Sequence, residues 1–203
     1  MRLILVSLTT LVLTSCIDLV GERGNGIRVE ESFTVDDFEK IDVGGAFIVK
    51  ITQENSNEIT LEADENLVDY IEIGVHGSTL EVNSDRRLDS KDGIIVNIPV
   101  KSIRAITCSG ASDVSTTTPL QSEKLNIVLS GAGKLELMLD VGDVSVDVSG
   151  ATLVYLEGSA KTLEINMSGA GSLEASEMEV ENCFAQISGI GKILVNVTGT
   201  LDA

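Results

Sequence analysis

The chain has 203 residues and a formal charge of −18, an acidity that makes nucleic acid and anionic lipid surfaces poor partners. Hydrophobic residues make up 43% but aromatics only 3%, with no Trp, so the core has to be built from Val, Ile, Leu and Ala, and only Tyr70 and Tyr155 could serve as aromatic platforms for a sugar. Nineteen Gly against two Pro point to many tight turns between strands.

The first fifteen residues carry one charge, Arg2, followed by the apolar run Leu3-Ile4-Leu5-Val6 and then Leu8 through Leu13. This is the layout of a secretory signal peptide, and it is too short to remain as a membrane span. It ends in Leu13-Thr14-Ser15-Cys16, which resembles the bacterial lipobox, where a small residue precedes a Cys that is lipidated and becomes the mature N-terminus. Acyl chains on Cys16 would contribute about 0.8 kcal/mol per buried methylene, so a multiply acylated residue holds a protein durably on a bilayer. The expected organisation is a lipoprotein signal peptide over 1–15, a lipidated N-terminus and linker over 16–32, and one domain over 33–203. Loss of the leader removes Arg2 and takes the charge to −19. The expected destination is the cell envelope, lipid-anchored in the outer membrane on its periplasmic or surface face.

Next in the chain, Val43-Gly44-Gly45-Ala46 and Val75-His76-Gly77-Ser78 read as degenerate copies of a repeat, 32 and 33 residues apart from each other and from the next copy. Ile59-Thr60-Leu61-Glu62-Ala63 and Ile94-Ile95-Val96-Asn97-Ile98 read as additional strands, giving early coils of three strands and late coils of two. From Ile103 onward the repeat is plain: Cys108-Ser109-Gly110-Ala111, Leu129-Ser130-Gly131-Ala132, Val148-Ser149-Gly150-Ala151, Met167-Ser168-Gly169-Ala170 and Ile187-Ser188-Gly189-Ile190, with Ser spacings of 21, 19, 19 and 20. Such a period is the signature of a repeat architecture.

The residue before each Ser is apolar, and so is the residue two before that: Ile106, Ile127, Val146, Ile165 and Ala185. A period of two on an apolar face means strand. Five residues past each Ser, Val114, Leu135, Val154, Leu173 and Ile193 open a second strand. Equivalent residues recurring every 20 or so stack into columns in a solenoid, which this pattern favours over an antiparallel sandwich. The predicted class is all-β, a right-handed parallel β-helix or solenoid with coils of about 20 residues and longer coils near the N-terminus. The Gly after each Ser is expected to occupy a corner at positive φ, where a β-carbon is penalised.

Phe38-Glu39-Lys40-Ile41-Asp42-Val43-Gly44-Gly45-Ala46-Phe47-Ile48-Val49-Lys50-Ile51, then Ala63-Asp64-Glu65-Asn66-Leu67, Gly77-Ser78-Thr79-Leu80-Glu81-Val82 and the Ser-Gly-Ala corners together resemble the head GIN domain, a family that carries an autotransporter-adhesin label. The likeness spans roughly Phe33 to Val197. It implies a parallel β-helix-like fold on envelope lipoproteins, and it brings no catalytic residues to carry over.

The residues themselves assign no catalytic, cofactor or metal site. A row of Ser nucleophiles would need a base, and the one His, His76, sits at the Ser position of its own copy, so a hydroxyl ladder closing the corners is the better reading. Cys108 and Cys183 are inward by parity but four coils apart, on the order of 19 Å at about 4.8 Å per strand, beyond disulfide reach, and read as buried free thiols. The carboxylates Glu62, Asp64, Glu65 and Asp69, and Asp85, Asp89 and Asp92, lack calcium-loop spacing. The Gly-rich corners lack the Lys of a phosphate loop. The outward residues two before each Ser are Thr107, Val128, Asp147, Asn166 and Gln186, and Thr107, Asp147, Asn166 and Gln186 form a candidate ligand-facing stripe. The expected function is therefore an envelope-anchored, adhesin-like binding lipoprotein that is not an enzyme and uses no cofactor. Its expected partners are the membrane, through Cys16, and an unidentified glycan or envelope protein, with no nucleic acid. A structural envelope lipoprotein and a polysaccharide-active β-helix enzyme are the alternatives.

Overall fold

A computed structural model describes residues 21–203, so the leader and Cys16 lie outside the described residues. The strands are β1 (Glu22–Arg23), β2 (Arg28–Thr34), β3 (Lys40–Gly44), β4 (Ile48–Gln53), β5 (Glu58–Asp64), β6 (Ile71–His76), β7 (Thr79–Ser84), β8 (Leu88–Asp89), β9 (Ile95–Val100), β10 (Ala105–Cys108), β11 (Asp113–Thr116), β12 (Leu120–Leu129), β13 (Ala132–Val148), β14 (Ala151–Met167), β15 (Ala170–Ile187) and β16 (Ile190–Asp202). One 3-10 helix, Glu65–Tyr70, lies between β5 and β6.

From β10 onward the chain winds as a stack of parallel coils, as the Ser-Gly period predicts. Cys108 pairs with Leu129, Leu129 with Val148, Val148 with Met167 and Met167 with Ile187, so the residues before each Ser form one column. Cys108, Leu129, Val148 and Met167 are buried, while Ile187 at the upper rim is 43% exposed. The front sheet is made of β7, β3, β10 and the C-terminal halves of β12 to β15. The back sheet is made of β9, β4, β11 and the N-terminal halves of β13 to β16. Between them lies a single aliphatic core running from Phe38 to Cys183, with Phe33, Val35 and the inward residues of β16 packed at its edges.

The irregular spacings have local causes. The 21-residue interval arises because β11 is offset by 21 from β13 (Val114 to Leu135), whereas β12 is offset by 19 (Leu120 to Leu139), so Thr117-Thr118-Pro119 accommodates two extra residues. The 20-residue interval arises from a bulge in β15, where Tyr155 pairs with Glu174 but Glu157 pairs with Glu177. Both insertions fall away from the Ser corners, which keeps the corner columns in register.

The N-terminal part departs from the simple repeat. The coil β3–β4 is second in space: β3 lies between β7 and β10, and β4 between β9 and β11. Ile94–Ile98 is consequently not an added strand, because β9 is the back strand of the lowest coil, paired in parallel with β4. The true additions are antiparallel. β6 lies on β7, β5 on β9 and β2 on β5, and the 3-10 helix buries Leu67 against the end of the core. Part of the stretch expected as linker, 16–32, is thus strand, with β1 on β8 and β2 on β5.

Val75-His76-Gly77-Ser78 is likewise no repeat copy. It is the tight turn of the β6–β7 hairpin, with Gly77 at φ 65°, and the corner position belongs instead to Asn83, paired with Gly44. Hairpin and corner share a Gly-Ser vocabulary, which is why periodicity alone merged them.

The corner glycines are explained by packing and not by φ. Among Gly110, Gly131, Gly150, Gly169 and Gly189 none has positive φ. A Cβ built on Gly131 would land on the carbonyl oxygen of Gly110, one on Gly150 on that of Gly131, and one on Gly169 on that of Gly150. Each of those carbonyls accepts the amide of the next coil, Ala132 from Gly110, Ala151 from Gly131 and Ala170 from Gly150, all at 3.0 Å. The chain must stack backbone directly on backbone here, and only a residue without a Cβ permits it.

Candidate functional site

The front sheet presents the predicted stripe as a continuous column. Thr107 pairs with Val128, Val128 with Asp147, Asp147 with Asn166 and Asn166 with Gln186, and all of them face outward. The Asn166 side-chain amide donates to Asp147 Oδ1 at 3.0 Å, which orients it along the stack. Beside this column run the corner serines, and the two together line a groove of about 270 Å³ that includes Asp147, Asn166, Gln186, Ser149, Ser168 and Ser188.

The serines are not poised as nucleophiles. Ser149 donates its amide to the Leu129 carbonyl at 2.8 Å and its hydroxyl to the same oxygen at 3.4 Å, and Ser168 treats Val148 alike at 2.8 and 3.3 Å. His76, at the far antiparallel hairpin, belongs to none of these corners.

Sequence reasoning missed the adjoining half of the face. Two residues earlier on each strand lie Asn126, Ser145 and Glu164, which pair in sequence, with Ser145 Oγ donating to Asn126 Oδ1 at 2.8 Å. With Arg104, Lys124, Asp143 and Thr162 they line a second groove of about 550 Å³. The alternation that located Asp147 and Asn166 also marks these positions, had it been continued one step further from the corner.

The lower end of the stripe is acidic, since Thr107 pairs with Asp42 and Asp42 with Glu81. Partial burial first, and the Glu81 charge second, push the Asp42 carboxyl above its usual range. Burial first, with Asp42 adding, pushes the Cys108 thiol behind it up to about 12. Cys108 and Cys183 are both buried free thiols, and burial also raises Cys183.

The two tyrosines are not open platforms. The Arg86 guanidinium lies 4.1 Å from the Tyr70 ring centre, and Lys134 Nζ lies 5.1 Å from that of Tyr155. Of the acidic clusters, Asp64 is buried and accepts the Gly26 amide at 3.0 Å and the Ser90 hydroxyl at 2.6 Å, so it fastens the N-terminal strands to the loop before β9. Among the described residues, no three His, Cys, Asp or Glu side chains converge as a metal-ligand set.

Comparison with known proteins agrees with this architecture. The chain is similar to a "putative adhesin" from Bacteroides fragilis NCTC 9343, with a TM-score of 0.81 and 23% identity over 89% of this chain and 85% of the other. It is also similar to a "putative adhesin" from Parabacteroides distasonis ATCC 8503, with a TM-score of 0.59 and 17% identity over 89% and 98%. A "putative lipid binding protein" from the same organism aligns with a TM-score of 0.59 and 15% identity over 89% and 95%. At these identities the likeness is one of fold. No curated protein matches the chain. The family described as "Putative auto-transporter adhesin, head GIN domain" matches residues 37–203, and the chain belongs to that family.

Proposed function

We propose that this protein is a non-catalytic, adhesin-like binding module of the cell envelope, held to a membrane by acylation of Cys16, and that its front sheet recognises an extended, neutral, hydroxyl-rich polymer such as a glycan. The observation that carries this reading is the paired column Asp147, Asn166 and Gln186, flanked by a Ser ladder on one side and by Asn126 and Ser145 on the other. Amide, carboxylate and hydroxyl groups repeat at strand spacing of about 4.8 Å along two adjacent grooves. Such a surface offers many weak, directional contacts to a long ligand. The acidic lower end, Asp42 and Glu81, and the overall charge of −18 disfavour polyanions.

The test is a glycan and envelope-protein array probed with the chain carrying Cys16→Ser. Binding to neutral saccharides that falls at least tenfold in Asn166→Ala and Gln186→Ala, with unfolding unchanged, supports the reading. Binding unaffected by either change removes this face from consideration. Membrane fractionation with lipid labelling addresses the anchor, and persistent acylation of the Cys16→Ser chain would rule it out.

A further inference from the structure

The lowest corner of the stack is built differently from those above it. In the late coils two residues separate front strand from back strand, as Ser130 and Gly131 do between β12 and β13. The next residue then donates its amide to the Gly carbonyl of the coil below, Ala132 to Gly110 at 3.0 Å and Ile190 to Gly169 at 3.1 Å. In the lowest coil residues 85–94 instead swing out between β7 and β9, with β8 paired to β1. The chain leaves the stack after Asn83, opposite Gly44, and rejoins it at Ile94, whose carbonyl accepts the Ile48 amide at 2.8 Å. Between those rungs lies Ala46, the equivalent of Ala111 and Ala132. Among the described residues its amide finds no acceptor.

The excursion leaves a cleft of about 490 Å³ bordered by the Gly44-Gly45-Ala46 backbone. Phe47, Leu88 and Ile94 supply its apolar lining, and Arg86 and Arg87 its charged lining. A Cβ on Gly45 would strike the Phe47 ring, and one on Gly44 the Asn83 side chain, so this corner tolerates no side chain before Ala46. The lining includes no carboxylate, in a chain with 32 Asp and Glu against 14 Lys and Arg. The two front-sheet grooves differ in this respect, since one includes Asp147 and the other Asp143 and Glu164. Arg86 is fixed, stacked 4.1 Å from the Tyr70 ring centre and paired with Asp85 at 2.9 Å. Arg87 is exposed and, among the described residues, forms no ion pair.

From this juxtaposition we infer that the cleft is a binding site for a carboxylate borne on a short apolar body, the chemistry shared by a peptide C-terminus with an apolar last residue and a medium-chain fatty acid. One carboxylate oxygen accepts the Ala46 amide, where the later corners supply a Gly carbonyl, and the other meets the Arg87 guanidinium. Charge-assisted bonds from guanidinium and backbone amide are a recurring means of holding a carboxylate. The apolar body covers Phe47, Leu88 and Ile94. Asp89 and Asp113 line an adjoining recess of about 220 Å³, and the chain as a whole stands at −18, so a single carboxylate is held where a string of them is repelled. The site is separate from the front sheet and does not rest on the function proposed for that face.

The test is a titration of the full chain carrying Cys16→Ser, followed by backbone-amide NMR, with octanoate and N-acetyl-leucine as probes and octanamide as the uncharged control. The Ala46 amide should shift and saturate in the millimolar range with one or both acids, the responding probe identifying the source, and should stay in place with octanamide. Arg87→Gln removes a charge-assisted contact and should weaken binding at least tenfold. Lys134→Gln, which removes a cation of the back sheet, should leave binding within twofold. The same spectra report whether each variant is folded, so a lost site is distinguished from a lost fold. An Ala46 signal that neither acid moves would overturn the inference. So would a response to octanamide as strong as that to octanoate, or an Arg87→Gln chain that binds no worse than the Lys134→Gln chain.

Discussion

Replacing Gly150 by Ala, beside Gly77→Ala as its counterpart, separates two physical accounts of why glycine stands at a turn. Gly77 has φ 65° with open space around its would-be Cβ, so Ala there costs only the backbone strain of the left-handed region, about 1–2 kcal/mol. Gly150 has no such φ, but its Cβ would occupy the position of the Gly131 carbonyl oxygen. To restore van der Waals distance the corner must lift from the coil beneath it. That movement breaks or weakens the Ala151 amide bond to Gly131 at 3.0 Å and the Ser149 amide bond to Leu129 at 2.8 Å. Two backbone bonds left unmade at about 1–3 kcal/mol each put the loss at roughly 2–6 kcal/mol, a large part of the stability of a domain this size. Equilibrium urea unfolding of the two variants followed by circular dichroism gives the comparison. Gly150→Ala should be the more damaging of the two. Equal losses, or a greater loss at Gly77, would falsify the steric account and return the corner glycines to a conformational one.

Val148→Asp should cost several kcal/mol, because it strips an apolar side chain from between Leu129 and Met167 and leaves a carboxylate there without a partner, whereas Asp147→Asn on the outward side should change stability by less than about 0.5 kcal/mol; urea midpoints that reverse this order would reverse the assigned parity. Thr152→Val should stabilise by about 1 kcal/mol, since the Thr152 hydroxyl is buried with no hydrogen-bond partner and its loss removes a desolvated polar group; a lower melting temperature would contradict this. Thiol titration of the Cys16→Ser chain should show neither Cys108 nor Cys183 reactive when folded and both reactive in denaturant. The Cys108 thiol is raised to about 12, so the folded chain keeps a proton that the unfolded chain sheds near 9. Its contribution is fully present below pH 9 and is lost as the pH rises toward 12, so stability should decline over that window less steeply in Cys108→Ala; identical slopes in the two chains would refute it.

The late coils were legible because inside and outside alternate on the strand leading into each fixed punctuation. Ile127, Leu129, Val146, Val148, Ile165 and Met167 all fall inside, and Asp147 and Asn166 outside, as the period of two requires. The same alternation marks Asn126 and Ser145, yet periodicity only ranks positions by face and does not say how wide a face is, so the second groove emerged only from the structure. The lower end was less legible for a different reason. Alternation runs through most of β5 and the start of β9, but it is identical for a parallel and an antiparallel neighbour, and Gly-Ser turns serve hairpins and corners alike. His76 was misplaced on that account. The corner glycines show the converse limit: the sequence marks where a Cβ is forbidden, while two coils must be placed together before the obstructing carbonyl is visible.

The interleaved order of the lowest coils has a consequence for how the chain comes into being. The strands β3 and β4 are flanked below by residues 79–100 and above by residues 105–116, so the Phe47 amide donates to the hydroxyl oxygen of Ser112, 65 residues away. As the polypeptide is made N-terminus first, its first coil has neither neighbour, and neither sheet of that coil is flanked on both sides until about half the domain has been made. Every coil above β10 behaves oppositely, docking on a ladder already complete beneath it. Folding should therefore show one slow step tied to delivery of residues up to about Thr116, followed by rapid upward growth one coil at a time. During that wait the apolar strands β3 and β4 are the segment most in need of a chaperone.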